Sequence, residues 1–157
     1  MQFSLAYEMQ RPTLDDHAVI EETLEQCILA DEVGFDSVWF VEHHFLTTFS
    51  MSPCPEIILT AIAAQTKRIR LGFGVVILPY HHPIRVAERI AMLDHLARGR
   101  LHWGIGARAI PTDSQPFRLD PTKGAEVRER SAEVLDIILK IWESEGKFSY
   151  PAKYFDI

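Results

Sequence analysis

Glu42, His43 and His44 follow directly on an apolar run from Asp36 to Val41, and His81 and His82 follow on a second run from Leu71 to Leu78. Buried strands that end in imidazoles and a carboxylate place titratable groups at strand carboxyl ends. In α/β sheets and barrels that is where ligands bind and chemistry happens. Imidazole titrates near neutral pH, so these residue types suit the giving and taking of protons. Two strands ending alike point to one site fed by several strands. His43 and His44 are neighbours, and in extended geometry they project to opposite sides, so one of them faces such a site. The same geometry tells against a metal centre, because His-x-His on a strand aims both ligands one way and adjacent histidines do not. On residues alone, His43 is equally a hydrogen-bonded histidine that closes a strand end.

The elements that must position these residues alternate four times between strand and helix. Phe3–Tyr7 reads as a first strand. Thr13, with Asp16 three residues on, makes a weak capping box for a helix carrying Val19, Ile20, Leu24, Cys27, Ile28 and Ala30 to a stop at Gly34. Asp36–Val41 is a second strand, and Ser52-Pro53 opens a second helix through Ala64. Arg70–Leu78 is a third strand, with Gly72 and Gly74 inside it, where glycine marks a bulge or close approach to the backbone. Pro83 starts a helix stopped by Gly99, and Leu101–Ile105 is a fourth strand. Residues 106–124 hold three prolines and no clear period, which reads as a long loop or lid. A last helix runs over residues 125–145, with Val127, Val134, Leu135, Ile138, Ile141 and Trp142 inward, and residues 148–157 suggest a hairpin.

Strands two to four are continuously apolar, as parallel strands covered on both faces are. The fold class is therefore α/β with βαβ crossovers. Four βα units make either a small open sheet or half of an eight-stranded barrel, which usually needs about 250 residues. No GxGxxG turn follows the first strand, which disfavours the dinucleotide-binding open sheet.

Composition narrows the function classes. The 157 residues carry a formal charge of −6 with 47% apolar content. Scattered Lys and Arg under a net negative charge give no phosphate-tracking face, so nucleic acid is not an expected partner. No apolar run nears the roughly 18 residues of a membrane span. The start of the chain lacks a signal-peptide pattern, and Cys27 and Cys54 lack zinc or redox spacing, so two reduced thiols in a cytoplasmic protein are expected.

The stretch from Val38 to Phe45 resembles the second-strand motif of the bacterial luciferase-like, flavin-dependent monooxygenases. The resemblance continues through Arg68 to Pro79, His82 to Arg85, Glu88 to Asp94 and Gly99 to Leu101, and reaches the tail from Trp142 to Phe155. It covers nearly all 157 residues in one domain. It implies a (β/α)8 TIM barrel, of which this chain supplies the first four βα units, leaving its first and fourth strands as edges.

The resemblance also implies roles. Reduced FMN, supplied by a separate flavin reductase, would react with O2 to form a hydroperoxyflavin that oxygenates a small organic substrate. His43 would stand near the flavin's reactive edge as the catalytic proton donor or acceptor. Glu42 and His44 would bind the cofactor. A non-proline cis peptide at Gly74-Val75 would let the backbone meet the flavin ring. Gly106 and Arg108 would lie toward the flavin phosphate, although Ala107 takes the place where relatives commonly carry the arginine; a solvated loop arginine is the other reading of Arg108. His81 and His82 would line the substrate cavity, or His82 would only shape the turn into Pro83. Trp39 and Trp103 read as core. The alanine-rich helices after strands two and three imply a homodimer or heterodimer, or packing on the chain's own barrel. Two rivals stand beside this reading: an oxidoreductase of the same superfamily that uses F420 for hydride transfer, and a non-catalytic barrel subunit supporting an active partner.

Overall fold

Ser4–Tyr7, Ser37–Phe40, Arg70–Ile77 and Leu101–Gly106 form β1 to β4 of one sheet, in the order β1-β2-β3-β4. The computed structural model describes residues 1–10, 15–46, 48–107, 111–120 and 122–157. β1 runs parallel to β2 and β2 to β3, with Tyr7 level with Phe40 and Phe40 level with Phe73. The helices α1 (Asp16–Val33), α2 (Pro55–Gln65) and α3 (Pro83–Ala97) alternate with the strands, followed by α4 (Pro111–Ser114) and α5 (Gly124–Glu143). The expected βα order is present, and each strand lies within a residue or so of its expected range. β2 and β3 are largely buried, but β4 is only partly so. Full coverage of β4 was the expectation; it lies at the edge of the sheet and has a neighbour on one side only.

Two helix starts differ from expectation. Asp15 caps α1, its Oδ1 accepting the Ala18 N–H at 2.8 Å; Thr13 lies outside the described residues. α2 begins at Pro55 with Cys54 as N-cap, later than Ser52-Pro53 suggests. The Ser52 hydroxyl donates to Val41 O at 2.7 Å and ties the loop to the end of β2.

The chain divides into two compact units, Met1–Val76 with Met92–Ile105, and Ile77–Ala91 with Gly106–Ile157. In the first, Val38, Phe40, Leu59, Ile62, Ile69, Leu71 and Phe73 are fully buried. Arg100 fastens the amino-terminal side of the sheet. Its guanidinium donates to the carbonyls of Ala63, Thr66, Ile69 and Ala97 and to the Thr66 hydroxyl. A cation at the end of α2 both satisfies orphan carbonyls and complements the helix dipole. Asp31 does the converse for the turn into β3, accepting the N–H groups of Lys67, Arg68 and Ile69. Burial pushes its carboxyl up, but those three bonds outweigh burial and hold it below the usual carboxylate range.

Thr23 is buried in α1 where the periodicity favoured Ile20, which is 36% exposed. Cys27 is fully buried and Cys54 is exposed, both as thiols. Burial pushes the Cys27 thiol up to about 11, against the opposing effect of its hydrogen bond with Tyr7. The thiolate is the reactive form. At mildly alkaline pH a disulfide reagent should therefore modify one thiol quickly in the folded protein and both after unfolding. Rapid modification of both under native conditions would contradict the packing of Cys27 under Tyr7.

In the second unit, residues 106–124 are less irregular than expected. α4 and a 3-10 turn over Gln115–Phe117 interrupt the loop. The Tyr80 ring stacks on Phe117 with centroids 4.2 Å apart, and its hydroxyl hydrogen-bonds Ser114 at 3.1 Å. α5 buries Val127, Ser131, Val134, Ile137 and Ile138. Trp142 is 40% exposed, and its Nε1 donates to Ala87 O at 3.1 Å. The expected hairpin over 148–157 is not a strand pair. One backbone bond joins Tyr150 N to Ile157 O, and Glu133 on α5 accepts the N–H groups of Lys153 and Tyr154, so these donors go to a side chain.

Candidate functional site

The carboxyl ends of β1 and β2 and the middle of β3 carry the candidate groups of the first unit. Because Tyr7, Phe40 and Phe73 share a register, Glu8, Val41 and Gly74 are each the next residue beyond it. β2 ends at Phe40, so Glu42 to His44 lie on the outgoing loop, which is fixed by a backbone bond from His43 N to Ser52 O at 3.0 Å.

His43 and His44 each meet a different carboxylate. His43 Nε2 lies 3.6 Å from Glu8 Oε2, and its ring meets Phe49 edge-on at 5.5 Å. At 3.6 Å the two groups face each other beyond hydrogen-bond distance. Glu8 Oε2 is shielded from solvent and takes no hydrogen bond among the described residues. His44 Nε2 lies 2.8 Å from Glu42 Oε1, and the Glu42 side chain is 1% exposed. A buried carboxylate is costly without a partner. His44 is one such partner, and the pair helps to hold the loop that carries His43.

The Gly74–Val75 peptide is cis, as the resemblance implied. Gly74 is exposed in a strand whose preceding residues, Leu71 to Phe73, are buried. A methyl built on it would meet only Trp39, at 3.7 and 3.8 Å, which is ordinary contact. Exposed bare backbone suits the close approach of a flat ring, and a residue lacking Cβ is what such an approach requires. The residues present therefore fit a flavin at this place.

The other candidates lie in the second unit or beyond the described residues. His81 N donates to Leu78 O at 3.1 Å, and its Nδ1 lies 3.4 Å from Arg89 Nη2. The His82 ring meets Phe155 edge-on at 5.5 Å. Gly106 closes β4. Arg108 lies outside the described residues.

Residues 1–157 match the family model of the luciferase-like monooxygenases from end to end. The chain belongs to that family. Among its relatives, 4-hydroxyprotoasukamycin monooxygenase of Streptomyces nodosus subsp. asukaensis is 40% identical over 134 residues, covering 85% of this chain and 35% of the relative. Limonene 1,2-monooxygenase of Rhodococcus erythropolis is 37% identical over 135 residues, covering 86% and 34%. The oxygenating constituent of the 3,6-diketocamphane monooxygenase of Pseudomonas putida, solved in complex with FMN, superposes with a TM-score of 0.91 at 31% identity. That match covers 100% of this chain and 43% of the other. The chain thus spans less than half the length of the relatives it matches. Its four βα units and parallel sheet are of the (β/α)8 barrel type found in this family.

Sequence reasoning on this luciferase-like chain missed three residues. Glu8 was legible as a carboxylate immediately after the first strand. Trp39 was read as core but is half-buried and reaches the Gly74 face. His102, which meets Trp39 edge-on at 5.8 Å, gave no local signal, because a histidine inside an apolar strand has no motif.

Proposed function

We propose that the chain carries part of the active site of an FMN-dependent monooxygenase that oxygenates a small organic substrate. The observation that carries this reading is the bare Gly74–Val75 backbone in β3, one residue past the register that Glu8 also follows, together with the Glu8–His43 pair beyond β1 and β2. The two monooxygenase relatives and the FMN-bound structural neighbour support it. When bound, reduced FMN supplies the electrons that activate O2. The protein's part is orientation, water exclusion and proton handling. Gly74 and Val75 present backbone to the ring. His43 gives or takes a proton at the ring nitrogen turned away from Glu8, whose carboxylate faces Nε2 and orients the ring. Glu42 and His44 keep the loop in place. His81, His82, Gly106 and Arg108 are proposed as further contacts to substrate and cofactor.

A separate flavin reductase is the proposed source of reduced FMN, in keeping with a neighbour described as an oxygenating constituent. A dimer in the cytoplasm is proposed as the working form. Titration of the full-length protein with FMN, and in parallel with F420, tests the reading. FMN should bind, and Gly74→Leu should abolish binding while Gly74→Ala keeps the melting temperature of the wild type. Preference for F420 would move the protein to the hydride-transfer branch. A folded protein that binds neither would be the non-catalytic subunit.

A further inference from the structure

Two glycines lie two residues apart on β3, on the same face, and they lack side chains for different reasons. Gly72 is level with Trp39, and a methyl built there would collide with the benzo ring of the indole. At Gly74 the same methyl would only touch Trp39 at van der Waals distance. Gly72 therefore makes room for the indole, whereas no neighbouring side chain requires glycine at Gly74.

The indole is held from several sides. Its Nε1 donates to Ser37 Oγ at 2.9 Å, and Ser37 Oγ shares a hydrogen bond of 2.6 Å with Ser4 Oγ on β1. On β4, the His102 ring meets it at an interplanar angle of 62°. Trp39 is thus anchored on β2 and β1, laid over β3 at Gly72 and braced on β4. An aromatic side chain has few torsions, so this arrangement is a stiff shelf at low entropic cost. The shelf ends beside Gly74.

We propose that Trp39 is a positioning residue for the cofactor ring, setting how closely a flat ring approaches the Gly74 backbone. The proposal rests on the flavin reading above. It assigns no chemistry to Trp39. Its expected effect is on ring placement, so the test reads the ring and not turnover alone.

The full-length protein, Trp39→Phe, Trp39→Ala, Gly72→Ala and the double variant Gly72→Ala/Trp39→Ala are compared by melting temperature, FMN affinity and visible circular dichroism of bound FMN. The flavin ring is achiral, so its visible dichroism reports its immediate surroundings. Trp39→Ala should weaken FMN on the order of tenfold and change the visible dichroism, an effect of the size of one aromatic contact. Trp39→Phe should fall between. Gly72→Ala should lower the melting temperature when Trp39 is present, and that loss should largely vanish in the double variant, where nothing remains to collide. The double variant should still bind FMN weakly. Trp39→Ala with FMN affinity within about twofold of wild type and unchanged dichroism overturns the positioning role alone. Absence of FMN binding in the wild type overturns the flavin reading and this role with it.

Discussion

His43→Ala should lower oxygenation by about 10²- to 10⁴-fold, the usual cost of removing one acid–base group, while FMN affinity stays near wild type. The separation of the two readouts follows from the geometry. His43 contacts Glu8 and Phe49, and its backbone, which an alanine keeps, carries the hydrogen bond to Ser52. Nothing in these contacts anchors a cofactor, so the loss falls on proton handling. Glu8→Gln keeps the shape but removes the charge facing Nε2, and should give a smaller loss in the same direction. His44→Ala behaves differently. It leaves the buried Glu42 carboxylate without its 2.8 Å partner. Breaking a buried pair from one side costs several kcal/mol as a rule, so that variant should lose stability first. Single-turnover rates with pre-bound reduced FMN, set beside melting temperatures, separate the three cases. A His43→Ala rate within a factor of about two of wild type would remove His43 from the chemistry.

The contrast between His43 and His44 also shows which parts of the site were legible in the chain. The expectation that they diverge follows from backbone geometry alone, because neighbours in an extended segment project to opposite sides. Their partners do not. Glu42 is two residues from His44, within reach of local inspection, but Glu8 reaches His43 from another strand. Its relevance appears only when the β1–β2 register sets Tyr7 level with Phe40. The strands themselves were legible because buried parallel strands are written as apolar runs. Helix starts were less so, because capping is a competition. Ser52 is a good cap by type, yet its side chain ties back to Val41 O in the preceding loop and Cys54 takes the cap position. The tail failed for a related reason: a hairpin needs its own backbone ladder, and Glu133 on α5 accepts two of the N–H groups. Trp39 was hidden by its type, since a tryptophan in an apolar strand reads as core until its neighbours show an exposed edge.

Gly104→Ala should be among the most damaging single-methyl changes in the sheet, costing about 3 kcal/mol, at the upper end of the overpacking range. The reason lies in what the methyl would meet. At Gly72 the obstacle is a side chain, whereas at Gly104 it is the backbone carbonyl of Phe73 on the neighbouring strand. Side chains yield by changing rotamer. A carbonyl within a strand yields only if the strand moves, and Phe73 itself is fully buried. β4 must therefore shift away from β3 close to the cis peptide at Gly74–Val75. For a chain of this size the loss corresponds to a fall of about 6 to 12 °C in melting temperature. Gly146→Ala is the matched control, because nothing lies within 4 Å of the added methyl and its φ is not in the left-handed range. Its effect should stay within about 0.5 kcal/mol. FMN affinity of Gly104→Ala should fall too, because the displaced β3 backbone is the surface proposed to meet the ring. A Gly104→Ala protein that melts with the control would mean that β3 and β4 can separate at little cost. The close fit of β4 against Phe73 would then contribute nothing to holding Gly74 in place.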